Sequence, residues 1–272
     1  MTITLKNNFK TTQRYFSFQR YYELLSVLVE RNLKGRYRGS FLGIYWSMLN
    51  PLIMTGIYTS IFGTVFAKYY NHSTLNYVLA AFTGLVVINF FSAATNQALP
   101  SVVSNGGLLN KLKLPMSVFP VSLVMANLFQ FLFGAFPILA VVTLFNSKNL
   151  WNVLALGFPI VALILVSAGI GFLVSTLYVF FRDLPYFYEI VCFVLWMTSP
   201  IFYPAEIVPP SVKPFISLNP LLPIIESIRQ ISLSGALPDF HLIGQAFLSG
   251  IIFVALGWSV FRWSQPLFMD LL

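Results

Sequence analysis

The stretch VLALGFPIVALILVSAGIGFLVSTLYVF, residues 153–180, runs for 28 residues without a single charge. A helix crossing a bilayer needs roughly 20 predominantly apolar residues. Backbone N–H and C=O groups cannot stay unpaired in lipid, so a run this long reads as a transmembrane α-helix. A membrane barrel would instead alternate polar and apolar residues over short segments.

Comparable runs lie on either side. Lys, Arg, Asp and Glu are absent between Arg38 and Lys68, Lys68 and Lys111, and Lys113 and Lys148. They are absent again between Glu189 and Glu206 and between Asp239 and Arg262. Six spans are therefore predicted near 42–66, 77–99, 118–145, 153–180, 187–202 and 242–261, the fifth being close to the lower length limit. Composition agrees, with 57% of residues apolar and 9% charged. A soluble domain carries about 25% charged residues to wet its surface. The chain reads as an all-α integral membrane protein: six transmembrane helices, an amphipathic interface helix before them, and short re-entrant helices on the outer side.

Orientation follows from the basic residues. Lys6, Lys10, Arg14, Arg20, Arg31, Lys34, Arg36 and Arg38 precede the first span. With that segment cytoplasmic, six spans place Lys111, Lys113, Arg182 and Arg262 inside as well, and both termini are expected in the cytoplasm of a cell-membrane protein. Lys68, Lys148, Lys213 and Arg229 fall outside. The net charge of +8 then reflects anionic headgroups beside the first span, and no nucleic-acid partner is implied.

Residues 1–40 form a cytoplasmic segment, and 41–272 the six-span domain. Within the first, Tyr21, Leu24, Leu25 and Leu28 recur at helical spacing among charged neighbours, the pattern of a helix lying in the membrane interface. Gly35, Gly39 and Gly43 repeat every four residues, as do Ser167, Gly171 and Ser175; small residues at this spacing let helices approach closely in lipid. The stretch 204–238 carries seven prolines yet stays apolar. Pro209–Pro210 forbids a continuous helix, so short re-entrant helices are expected in this outer segment.

Chemistry of the common kinds is missing. The chain holds no Gly-x-x-x-x-Gly-Lys-Ser/Thr phosphate loop, the usual cradle for ATP. Cys192 is the single cysteine, and His72 and His241 stand apart, so neither a disulfide nor a metal site is indicated. The first twenty residues lack an apolar core of signal-peptide type. Intramembrane ionisable groups, which ion-coupled transporters use, reduce to Glu189 and Glu226. A transporter without its own energy source depends on a partner's. Aromatics make up 17% of residues. They suit interface belts, and their faces also suit the C–H surfaces of sugars.

Five motifs in order resemble one family. They are RNLKGRYRGSFLGIYWSMLNP at 31–51, GLLNKLKLP at 107–115 with Phe119-Pro120, FRDLP at 181–185, SPIFYP at 199–204, and LNP at 218–220 with Glu226 and Arg229. Together they resemble the permease subunits of ABC transporters that export polysaccharides, of the O-antigen and teichoic-acid type, with capsule exporters further off. The resemblance implies a homodimer paired with two copies of a cytoplasmic ATPase. That partner binds ATP and Mg, and this chain carries no cofactor. A lipid-linked glycan would pass outward between the protomers.

By the same resemblance, Tyr45, Trp46, Tyr58 and Trp196 are candidates to line the channel. Glu30, Arg31, Leu108, Asn110, Lys111 and Lys113 are candidates for coupling to the ATPase. Pro209, Asn219, Glu226 and Arg229 are candidates for the outer gate, and Arg182 and Asp183 are expected either to pair and cap a turn or to help couple the two halves. The rival readings are a permease of the same superfamily exporting a drug, haem or a lipid, a membrane-embedded transferase, and a stand-alone secondary transporter.

Overall fold

The computed structural model describes residues 18–109, 112, 114–204, 207–234 and 239–271. Among them every regular element is helical. Helix α1 covers Phe18–Tyr37, α2 Trp46–Phe66, α3 Thr74–Ala98, α4 Ser101–Ser104 and α5 Gly106–Leu109. Then come α6 Val118–Phe133, α7 Ala135–Ser147, α8 Leu150–Ala155, α9 Gly157–Phe180 and α10 Leu184–Thr198. Helices α11 Lys213–Ser217, α12 Leu222–Arg229 and α13 Phe240–Leu271 complete the order.

Four helical stretches are long and apolar enough to cross a membrane: Gly43–Tyr69, Thr74–Ala98, Leu150–Phe180 and Phe240–Leu271. The α6–α7 pair makes a fifth, bent by 46°. The bend sits at Gly134, where a Cβ would lie 2.2 Å from Ser47 Oγ. Three residues on, Pro137 has no N–H to give the Phe133 carbonyl. Length alone does not establish the expected sixth crossing, because α10 has only 15 residues, roughly 22 Å of helix against a hydrocarbon core of about 30 Å. Arg182 before α10 nevertheless meets Leu271 at the end of α13, so the chain changes sides between them. Pro200 stops α10 by holding Ser199 extended, at φ −77° and ψ 130°.

Helix α3 is the centre of the bundle, buried along most of its length, while α2 lies on the outside. The main core joins Phe82–Phe91 side chains of α3, Leu139 of α7, and Ile160, Leu163 and Val166 of α9. The apolar segment 204–238 enters this same core. Leu221, Ile224, Ile225, Ile228 and Ile231 are fully buried. A π-helical turn at Gln230–Ser234 follows α12. It is pinned to α7 by Thr143 Oγ1 donating to Ser232 Oγ at 3.0 Å and Asn146 Nδ2 donating to the Ser232 carbonyl at 3.0 Å. Irregular backbone at membrane depth persists where protein covers it, as here.

Two sequence patterns find their neighbours here. The stripe Tyr21, Leu24, Leu25 and Leu28 packs on protein. It joins a second cluster with Val102, Leu109, Phe119, Phe261 and Phe268 at one end of the bundle. The ends of α6 and α13 leave apolar surface there, and α1 covers it. The Gly35, Gly39 and Gly43 repeat does not pack within the chain, since among the described residues an added Cβ at any of them meets nothing within 4 Å. Gly39 and Gly43 have φ of +79° and +49°, so they form the turn between α1 and α2, which glycine adopts without steric cost. The Ser167–Gly171–Ser175 repeat does pack: a Cβ on Gly171 would lie 3.2 Å from Ala98 Cβ.

Candidate functional site

Tyr58, Phe62 and Phe66 recur every four residues, so they share one face of α2. Their ring centroids follow at 6.1 and 5.8 Å. Phe202, in the turn after α10, stacks on Tyr58 with centroids 3.5 Å apart. Trp196 of α10 stands 5.4 Å from Phe202 and 6.3 Å from Tyr58, and Phe193 extends the row at 6.1 Å from Trp196. The Tyr77 hydroxyl donates to the Phe202 carbonyl at 2.9 Å and holds the turn in place. Helices α2 and α10 and residues 201–203 thus build one aromatic wall, with Tyr58 and Trp196 half-buried and Phe193 exposed.

Of the four channel candidates, Tyr58 and Trp196 converge in this wall. Tyr45 and Trp46 do not join it, because they lie at the start of α2, about 18 Å of helix earlier. Both are exposed. Trp46 lines a separate cleft of about 470 Å³ between α1, α2, α3 and α6. Phe202 and Phe193 carry as much of the wall as the predicted pair. Their aromatic type was visible in the sequence, but their contact with α2 was not.

The gate candidates act as clamps on the outer segment. Asn219 is buried, and its Nδ2 donates to Ser199 Oγ at 2.9 Å, Thr198 Oγ1 at 3.2 Å and the Leu195 carbonyl at 3.3 Å. Its Oδ1 accepts from the Leu221 N–H at 2.9 Å. Arg229 donates from Nε and Nη2 to the Ala80 carbonyl at 3.1 and 2.9 Å, and from Nη2 to the Ile201 carbonyl at 3.1 Å. Glu226 is half-buried on the same helix, while Pro209 is exposed. Asn219 therefore ties the segment to α10, and Arg229 ties it to α3 and to the turn carrying Phe202.

At the α1 end, Arg31 donates to Asn105 Oδ1 at 3.1 Å and Asn32 donates to Ser122 Oγ at 3.1 Å. Glu30 is exposed and pairs with Lys34 at 2.5 Å, and that ammonium holds its carboxyl below the usual carboxylate range. Leu108 is partly exposed, whereas Leu109 is buried in one cluster with Leu28. Helices α1, α4 and α5 are thus one mechanical block. Asn110, Lys111 and Lys113 lie outside the described residues. Asn105, Ser122 and Leu109 complete the block, and nothing in their own segments marks their partners.

Arg182 and Asp183 do not pair. Arg182 donates to the Leu271 carbonyl at 3.3 Å and stacks over Tyr178. Asp183 starts α10 without a side-chain capping bond. Among the described residues no group of three His, Cys, Asp or Glu could hold a metal. Cys192 is buried.

Comparison with known proteins accounts for this architecture. Residues 23–233 match the model of the family described as ABC-2 type transporter. The O-antigen export system permease protein RfbA of Klebsiella pneumoniae is 30% identical over 257 residues, covering 92% of this chain and 95% of its own length. The protein of the same name from Myxococcus xanthus is 30% identical over 223 residues, 80% of this chain and 84% of that one. The polysialic acid transport protein KpsM of Escherichia coli is 23% identical over 251 residues, 89% and 95% of the two chains. With the family match spanning most of the chain and its apolar helices long enough for several crossings, this multi-pass membrane protein belongs to the ABC-2 type transporter family.

Proposed function

We propose that the chain is the channel-forming subunit of an ATP-driven exporter that moves a lipid-linked polysaccharide outward across the cell membrane. The observation that carries this reading is the near full-length similarity to permeases named for O-antigen export and polysialic acid transport. The aromatic wall supports it in physical terms. Ring faces hold sugar C–H surfaces weakly and without directional bonds, so a polymer can slide along them. Two copies of the chain would bring two such walls around one path.

The energy comes from a separate ATPase in this reading, two copies of which dock on the α1 end. The α1–α4–α5 block is suited to receive that motion, because Leu28 and Leu109 share one buried cluster. Both termini are cytoplasmic, in keeping with Arg20, Arg31, Lys34, Arg36, Arg38 and Arg182 at that end.

Deleting the gene is expected to remove the surface glycan and leave lipid-linked glycan inside the cell. The tagged chain is expected to co-purify with a stoichiometric P-loop ATPase. Unchanged surface glycan, or recovery of the chain alone, would overturn the proposal. A finer test is the double variant Tyr58→Ala, Trp196→Ala. Each stacked ring contributes on the order of 1 kcal/mol, so export should fall severalfold while assembly with the ATPase is kept. Wild-type export from that variant would remove the wall from the path.

A further inference from the structure

The last turn of α1 points a guanidinium into the bundle. Arg36 donates from Nη1 to Asn127 Oδ1 at 3.2 Å and to Gln130 Oε1, and from Nη2 to Gln97 Oε1. Asn127 is only 4% exposed, and its Nδ2 donates to Gln97 Oε1 at 3.0 Å. Asn127 stands nine residues into α6, roughly 14 Å from its start, so the group lies alongside an apolar span.

These three acceptors of Arg36 are neutral amides, and the Tyr37 hydroxyl beside them is neutral as well. Amide oxygens orient a guanidinium but leave its full charge in place. No Asp or Glu lines the adjoining cleft, and no carboxylate among the described residues pairs with Arg36. A charge beside a membrane span without a counter-ion is costly and marks a site for one. Three of the five guanidinium N–H groups go to these amides, so the fork is not saturated by them. Tyr37 lines the same cleft, its hydroxyl beside the Arg36 guanidinium, and its O–H has no acceptor among the described residues. The cleft is also lined by Trp46, Phe90 and Phe131. Its volume of about 470 Å³ therefore combines one guanidinium with aromatic walls and with small polar side chains such as Asn50 and Asn89.

We infer that this cleft binds the phosphoryl headgroup of an anionic lipid, with Arg36 as its charge partner and Tyr37 as a hydrogen-bond donor. Planar guanidinium donors match phosphate oxygens two at a time, and the aromatic side chains of the lining accept the adjoining hydrocarbon. Two lipids share this chemistry, the phosphate-linked carrier of a glycan and a bulk anionic phospholipid. Assigning the site to the carrier rests on the export function proposed for the chain, whereas the anion site itself does not.

The test uses the full chain in phosphatidylcholine nanodiscs, read by the fluorescence of its tryptophans, Trp46 among them. The probes are farnesyl diphosphate, farnesol and dioctanoyl phosphatidylglycerol. Saturable binding of farnesyl diphosphate, with farnesol at least about tenfold weaker, is expected from the loss of a charge-assisted pair. Arg36→Gln should lose that preference and Arg36→Lys should keep part of it, since a point charge replaces a fork. Arg38→Gln, an exposed position off the cleft, should bind as wild type does. Tyr37→Phe, which keeps the arginine network, should weaken the diphosphate severalfold, so the site can be probed even where the Arg36 variants do not fold.

Diphosphate favoured tenfold over phosphatidylglycerol assigns the carrier; equal binding of the two keeps the anion site and assigns it to bulk lipid. Farnesol binding as tightly as the diphosphate, or a folded Arg36→Gln protein with wild-type affinity, overturns the inference. Either of those results beside intact glycan export leaves the export function standing. Lost export assignment beside a working diphosphate site separates the two in the other direction.

Discussion

Gly257→Leu is expected to remove most of the folded protein. A Cβ on Gly257 would lie 2.0 Å from the Gly169 carbonyl oxygen, and one on Gly169 would lie 2.3 Å from the Phe253 carbonyl carbon. One heptad earlier in α13, a Cβ on Gly250 would lie 2.9 Å from Leu165 Cβ. The first two contacts are with backbone, which no rotamer change relieves. The helices α9 and α13 would have to separate along their whole shared face. In lipid, helices associate largely through such close packing, and overpacking a tight site costs about 1–3 kcal/mol, more where backbone must move.

Size-exclusion chromatography of detergent extracts provides the measurement. Gly257→Leu should lose most of the monodisperse peak and lower the melting temperature of what remains. Gly244→Leu is the internal control, because the same helix there has nothing within 4 Å of an added Cβ. Equal peaks and melting temperatures for the two variants would show that the α9–α13 interlock is not tight.

Arg229→Met should free the outer segment while the rest of the bundle stays folded. The substitution preserves much of the apolar stem and removes three N–H···O=C bonds to Ala80 and Ile201. Hydrogen bonds from a charged donor contribute about 1.5–3 kcal/mol each at most. Ala80 keeps a second donor, the Thr83 hydroxyl at 2.8 Å, so the loss falls mainly on Ile201, and a net cost of roughly 2–3 kcal/mol is expected. Limited proteolysis from the side opposite α1 should then cut within 204–238, where the wild type resists. Arg229→Lys should not restore protection, since one ammonium cannot span both carbonyls as the planar fork does. Wild-type protease resistance in Arg229→Met would show that Asn219 alone suffices to hold the segment.

Both predictions rest on contacts whose partners lie far apart in the chain. Gly169 stood in plain view beside the Ser167–Gly171–Ser175 repeat, yet the repeat points toward Ala98 on α3 while Gly169 faces α13. Rotation about the α9 axis decides between those faces. Tyr58 and Trp196 were legible as aromatics near span positions, but so were Tyr45 and Trp46. Only the turn at Ser199–Tyr203 brings the first pair together, through Phe202. Arg36 read as one basic residue among eight before the first span. Its amide partners come from α3 and α6, 61 to 94 positions away.

By itself, the sequence determined the membrane class, the helical elements and the basic asymmetry. Each of these follows from the transfer energy of a single segment: a charge-free run of 28 residues must be helical in lipid whatever surrounds it. One break was local too, since Pro209–Pro210 divides the outer segment by backbone chemistry, whereas the span expected to reach 202 stops short before Pro200. Tertiary structure alone decided which face of each helix meets a neighbour. It turned the α1 stripe toward protein, interlocked Gly169 with Gly257, and set Arg36 among neutral amides. The reason is physical. In a membrane both faces of a helix are apolar, so hydrophobic periodicity cannot distinguish lipid from protein, and the choice falls to the shape of the partner.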